Sequence, residues 1–139
     1  MFLLDTCVVS ELRKAGHGRA DPNVAEWARA KLPDELHISA ITVLELEWGV
    51  LLMERRDADQ GLRLRRWLHG QVLPAFRNRI LPIDAPVALR TAQLHVPDKR
   101  PERDALIAAS ARRFGCAVVT RNSSDFQNAG VEVLNPWIP

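Results

Sequence analysis

Residues 1–12 read MFLLDTCVVSEL (Met1 to Leu12). The apolar run Met1–Leu4 has the continuous character of a short buried strand. It stops on a carboxylate, Asp5, followed by Thr6 and Cys7. An acid at the end of a buried strand is costly unless something pairs with it. What pairs with Asp5 decides both the fold and the site.

The pattern set by that strand repeats along the chain. VVSELRK is read as the start of a helix, and GHGRAD as a glycine-rich loop. DPNVAEWARAKL predicts a helix with Asp21 as N-cap and Pro22 as first residue, its inner face formed by Val24, Trp27, Ala28 and Leu32. ELHIS is a second strand. SAITVLELEWGVLLMER is a helix capped by Ser39. DADQGLRLRRWLHGQVLPAFRNR continues as helix, with Leu62, Trp67 and Leu68 expected in the core. RILPID is a third strand and APVALRTAQLHV a helix with proline at its start. After the charged loop PDKRPE, PERDALIAASARRFG is a helix that opens near Pro101 and ends at Gly115. CAVVT is a fourth strand, RNSSDFQNAG a polar loop and VEVLNP a last short strand.

Short apolar strands alternating with helices predict right-handed β-α-β units. The fold class expected is α/β: a three-layer sandwich with a central, mostly parallel sheet of four to five strands flanked by helices. The 139 residues are read as one domain, 1–139. Such sheets place their sites at the carboxyl ends of the strands. Asp5 ends the first strand, and the fourth delivers TRNSSD to the same edge.

Composition narrows the classes. Apolar residues make up 47% and charged residues 26%, as in globular proteins. No apolar run approaches the roughly 18 residues of a membrane span. No basic segment precedes the apolar start, so a cytoplasmic location is expected. Cys7 and Cys116 sit in strand-like surroundings and read as small buried hydrophobes rather than a disulfide framework. Net charge is only +2, but lysine is confined to Lys14, Lys31 and Lys99. Arginine, the better bidentate partner of phosphate and carboxylate, clusters at Arg63, Arg65 and Arg66 and at Arg77 and Arg79. Arg100 and Arg103 join Lys99 in a third cluster. His17, His37, His69 and His95 lack metal-ligand spacing. There is no Gly-rich phosphate loop, which excludes a P-loop enzyme.

Four carboxylates stand out as acids at otherwise apolar, inward-facing positions: Asp5, Glu45, Asp104 and Asp125. Each alone has a simpler role. Asp5 could cap the next helix, Glu45 could pair with an arginine, and Asp104 could answer a helix dipole. Asp125 could form an Asx-turn. Together, at one sheet edge, they point to a divalent-metal site. Mg²⁺ and Mn²⁺ take oxygen ligands, and clustered carboxylates repel one another unless a cation neutralises them.

At these residues the chain resembles the PIN-domain ribonucleases, specifically the VapC and FitB-like toxins of type II toxin–antitoxin modules. LLDTCVVSEL resembles the family's opening strand, aspartate and SEL segment. ISAITVLELEWGV resembles its Ser-x-x-Thr-x-x-Glu-Leu-x-x-Gly helix through Ser39, Thr42, Glu45 and Gly49. RDALIAASA matches an Asp-x-x-Ile-Ala helix through Asp104, Ile107 and Ala108. VVTRNSSDF matches a Thr-Arg-Asn-x-x-Asp-Phe loop through Thr120, Arg121, Asn122, Asp125 and Phe126. The resemblance implies a Mg²⁺- or Mn²⁺-dependent endoribonuclease with Asp5, Glu45, Asp104 and Asp125 as its catalytic and metal-holding acids. Thr6, Thr120 and Asn122 would be auxiliary residues. It also implies an RNA substrate, a homodimer and a small cognate antitoxin whose tail carries an arginine into the acidic site.

Two positions matter within that pattern. The family usually has asparagine where this chain has Cys7, and a thiol hydrogen-bonds only weakly. Asn122 stands where some relatives carry an acid, so one well-held metal is expected rather than two. A different reading is a catalytically weak binding module whose acidic pocket chiefly receives the antitoxin arginine. A phosphotransferase of the haloacid dehalogenase type would want an acid at position 7, and a response-regulator receiver a later phosphoacceptor Asp with a matching lysine. Neither is present.

Overall fold

The computed structural model describes Met1–Pro139. β1 (Phe2–Leu4) leads into α1 (Thr6–Arg13), and α2 (Pro22–Arg29) returns the chain to β2 (Leu36–Ser39). A long hairpin follows: α3 (Ala40–Arg56) and α4 (Ala58–Trp67), extended by a π-turn (Leu68–Val72) and a short α5 (Leu73–Ala75). β3 (Ile80–Leu81), α6 (Ala85–Leu94), α7 (Glu102–Phe114), β4 (Ala117–Val119) and β5 (Val133–Leu134) complete the chain.

The five strands lie in the order β3-β2-β1-β4-β5. Every neighbouring pair is parallel, with Leu3 opposite His37 on β2 and Leu4 opposite Val119 on β4. The predicted sandwich is therefore observed, with five strands and no antiparallel pair. The chain moves outward from β1 to β3, then crosses to β4 on the other side. The strand order reverses between β1 and β4, and such reversals open the crevice in which α/β sheets place their sites.

Strand periodicity builds the two faces. Leu4 and Val119 enter a core with Val8, Val24, Ile38, Leu46, Val50 and Leu68. Leu3 and Val118 point the opposite way, toward Ile107, Ala108, Ala111 and Phe126. Alanines on α7 let that helix lie close to the sheet.

The expected caps are in place. The carboxylate of Asp21 accepts from the backbone N–H groups of Asn23 and Val24, and the Ser39 hydroxyl accepts from Ile41 N–H. Asp57, in extended backbone, separates α3 from α4 and caps the latter. Three expectations need correcting. Leu62 is exposed, because Gly61 is the residue that faces α3, and the inward stripe runs on to Leu64 and Leu68. Leu32 is also exposed, since α2 ends at Arg29 and leaves it in the following loop. The helix read through residues 57–79 is interrupted. Pro74 has no N–H to donate to the preceding turn, and the ladder widens just before it, with Leu73 N–H bonding to the Leu68 carbonyl.

Gly61 marks the closest approach of the hairpin. A Cβ there would lie 2.6 Å from Glu54 Cα, inside any normal contact. Gly61→Ala is thus expected to destabilise the protein by about 1–3 kcal/mol, although alanine is the better helix former. Urea denaturation of both proteins measures this.

Candidate active site

Asp5 follows β1 directly, and its backbone N–H donates to the Val119 carbonyl at 2.9 Å. That bond pins it to the crevice between β1 and β4. Its side chain is 8% exposed and fully engaged. One carboxylate oxygen accepts from Thr6 N–H at 2.8 Å, capping α1. The other accepts from the Thr120 hydroxyl at 2.7 Å. Thr120, itself buried, accepts in turn from Asn122 N–H at 3.1 Å. Burial pushes the Asp5 carboxyl up from its ordinary value, the hydrogen bonds from Thr120 and Thr6 hold it down, and the Glu45 charge adds to the rise.

Cys7 occupies the third side of Asp5. Its thiol lies 3.8 Å from Asp5 Oδ2 and 3.7 Å from Thr120 Oγ1. Burial raises its pKa, so it is held as a neutral thiol. It is a half-buried weak donor in the acid network rather than an apolar filler.

Glu45 reaches the edge from the second turn of α3. The Thr6 hydroxyl donates to its Oε1 at 2.7 Å, and the buried Thr42 hydroxyl lies 3.3 Å from Thr6 Oγ1. Thr6 therefore links Asp5 to Glu45, by its backbone on one side and its hydroxyl on the other. The second Glu45 oxygen faces Arg103 Nη1 at 3.4 Å. The Arg103 guanidinium also lies over the Trp48 ring, 4.7 Å from its centre.

Asp104 projects from the first turn of α7, half-buried. Its carboxyl is pushed up to about 6, first by burial and then by the charges of Asp125, Asp5 and Glu45; Arg103 opposes the rise. Asp104 is thus the point at which the other three acids are felt together. Asp125 lies in the 3₁₀ turn Ser123–Phe126 and is exposed rather than inward-facing, because Phe126 takes the buried place in that turn. The Asn122 side chain is exposed too, while its N–H tethers the loop to Thr120. Beside Asp104, a cavity of about 310 Å³ opens between Glu45 and residues Pro101–Arg103.

No three His, Cys, Asp or Glu side chains are already gathered so as to hold a metal ion. The arrangement is an open acidic edge, not a closed cage. Its chemistry nevertheless fits a hard divalent cation: the donors are carboxylate oxygens, and they repel one another at Asp104. The four histidines lie outside it; His69 pairs with Glu47 and His95 with Glu102.

Sequence reasoning missed two members. Arg103 falls beside Lys99 and Arg100 in the sequence, yet it pairs with Glu45, 58 residues away. Thr42 entered only as a motif position and proves to be a buried hydroxyl beside Thr6. No local pattern signals either contact.

Comparison with known proteins gives a consistent picture. The family model described as PIN domain matches residues 2–132. VapC ribonuclease Y4jK of Sinorhizobium fredii is 40% identical over 147 residues, spanning 100% of this chain and 99% of its own length. Toxin FitB of Neisseria gonorrhoeae is 38% identical over 144 residues, with 99% of each chain covered. The crystal structure of FitAcB from Neisseria gonorrhoeae superposes with a TM-score of 0.90 at 35% identity, over 100% of both chains.

The raised Asp104 pKa has a stability consequence. Between roughly pH 4 and 6 the folded protein binds more protons than the unfolded chain, so metal-free stability falls as pH rises through that window. Asp104→Asn removes the penalty. With allowance for its partial exposure, the variant is expected to gain about 1 kcal/mol at pH 8, or about 3 °C in Tm, and nothing near pH 4. Thermal unfolding in chelator at both pH values measures this.

Proposed function

The chain belongs to the PIN-domain family, and on that premise we propose that it is a divalent-metal-dependent endoribonuclease, the toxin of a type II toxin–antitoxin module. The observation that carries the reading is geometric: Thr6 ties the buried Asp5 to Glu45 at one sheet edge, and Glu45 and Asp104 line the cavity that opens there. Relatives named as a VapC ribonuclease and a FitB toxin, aligned over essentially the whole chain, support it.

In this reading Asp5 and Asp104 would hold Mg²⁺ or Mn²⁺, with Glu45 and Asp125 completing the acidic set. A bound ion would supply an activated water and offset charge on the phosphodiester. The remaining work falls to the chain. Thr120 and Thr6 fix both oxygens of Asp5 before substrate arrives. Thr6 also orients Glu45, which would direct the attacking water or accept its proton. Asn122 N–H holds the loop that carries Asp125. Arg103, half-exposed between Glu45 and solvent, is free to shift toward a phosphate oxygen. Single-stranded or loop RNA suits an open edge, because its backbone can enter a cleft.

The module reading brings a homodimer and a small antitoxin protein as partners. An exposed apolar stripe on α3, formed by Leu44, Trp48, Leu51 and Leu52, supports a protein partner. The proposed compartment is the cytoplasm; no helix is long and apolar enough to cross a membrane. A second reading, a binding module whose pocket mainly takes an antitoxin arginine, draws on one contact. Glu45 already accepts a guanidinium, that of Arg103, and the Cys7 thiol beside Asp5 is only a weak hydrogen-bonding group.

Cleavage of a mixed RNA panel with Mg²⁺ or Mn²⁺ tests the function. Asp5→Asn and Asp104→Asn are each expected to lower the rate by at least about 100-fold, roughly 2.7 kcal/mol of barrier, with circular dichroism unchanged. Full activity in both variants, or cutting in chelator, contradicts the mechanism. Cys7→Asn is expected to raise the rate; inactive wild type with tight antitoxin binding would favour the binding module.

A further inference from the structure

A second cavity, of about 420 Å³, lies where α6 passes into α7. Lys99 and Arg100 border it, and neither side chain forms an ion pair. Gln93 and Asn128 add amides that both donate and accept, and Val96 and Pro97 give it an apolar wall. Arg100 borders this cavity, and the next residue, Pro101, borders the acidic one beside Asp104. Even fully extended, the segment from Arg100 to Asp104 spans no more than about 14 Å.

The loop is held at both ends by one histidine. Arg100 N–H donates to His95 Nδ1 at 3.0 Å. The ring proton must then sit on Nε2, which donates to Glu102 Oε2 at 3.1 Å. His95 closes α6 and Glu102 opens α7, so the backbone that carries the two free cations is fixed before any ligand arrives.

We propose that this cavity is a subsite for the RNA strand on one side of the scissile phosphate, with Lys99 and Arg100 on backbone phosphates and the amide-and-proline wall against ribose and base. The inference rests on the nuclease reading above. An acidic edge repels a polyanion, so a strand reaching Asp104 needs cations close beside it, and this loop is contiguous with Asp104. Asp98 on the same rim offers carboxylate oxygens as acceptors to a base amine.

The test is a salt titration of binding to a labelled single-stranded RNA of about twelve nucleotides, in an Asp104→Asn background so that the strand stays intact. Lys99→Gln/Arg100→Gln is expected to weaken binding at least tenfold. It should reduce the slope of log K against log salt by about 1.4, the value for two single-strand phosphate contacts. Lys99→Arg/Arg100→Lys should retain binding. In the cleaving protein the glutamine pair should raise KM more than it lowers kcat. Wild-type affinity and slope in the glutamine pair, or loss of antitoxin binding in place of RNA binding, overturns the subsite. Failure of the nuclease reading looks different: the parent protein neither binds nor cuts RNA, and the subsite falls with it.

Discussion

The hydrogen bond from the Thr120 hydroxyl to Asp5, 2.7 Å long, joins the two strands between which the sheet reverses direction. It makes a carboxylate tenable at the end of a buried strand. Burial alone drives Asp5 toward its neutral form, and the donors from Thr120 and Thr6 pull it back. The same two threonines extend the network outward, Thr6 to Glu45 and Thr120 to the backbone of Asn122. One buried acid thereby orders the start of α1, the inner face of α3 and the loop after β4.

What that network leaves unsatisfied is charge. Asp104 faces three other acids and has only Arg103 to offset them. Functional sites commonly carry such local conflict, which the surrounding fold sustains. Here the two cores on either side of the sheet hold β1, β4 and α7 in place. A divalent cation is the simplest species to resolve the conflict, and a polyanion would then meet a neutralised edge flanked by Lys99 and Arg100.

Much of this was legible in the chain because local rules and the global fold agree. Continuous apolar runs gave parallel strands, and Asp21, Ser39 and Gly115 marked helix ends where the backbone geometry demands them. Asp5 is conspicuous because a carboxylate at the end of a buried strand is costly, and a helix cap satisfies only one of its oxygens. Other features depend on tertiary contacts that no window reveals. The Arg103–Glu45 pair and the Thr6–Thr42 contact join distant segments. Leu62 and Leu32 fit apolar periodicity but are exposed, one beside the glycine that takes the interface and the other past its helix end. Asp125 yields the inner position to Phe126, a choice between neighbours that periodicity in a short turn cannot make.

Calorimetric titration of the metal-free protein with Mn²⁺, at pH 8 and near pH 5, tests the central claim most directly. If the acids at this edge form one cation site, the wild type binds Mn²⁺ at pH 8, releases protons as it does so near pH 5, and binds more weakly there. Asp104→Asn, still folded, then loses at least tenfold in affinity. Equal Mn²⁺ binding by wild type and Asp104→Asn, or no binding by a folded wild type, would contradict the account.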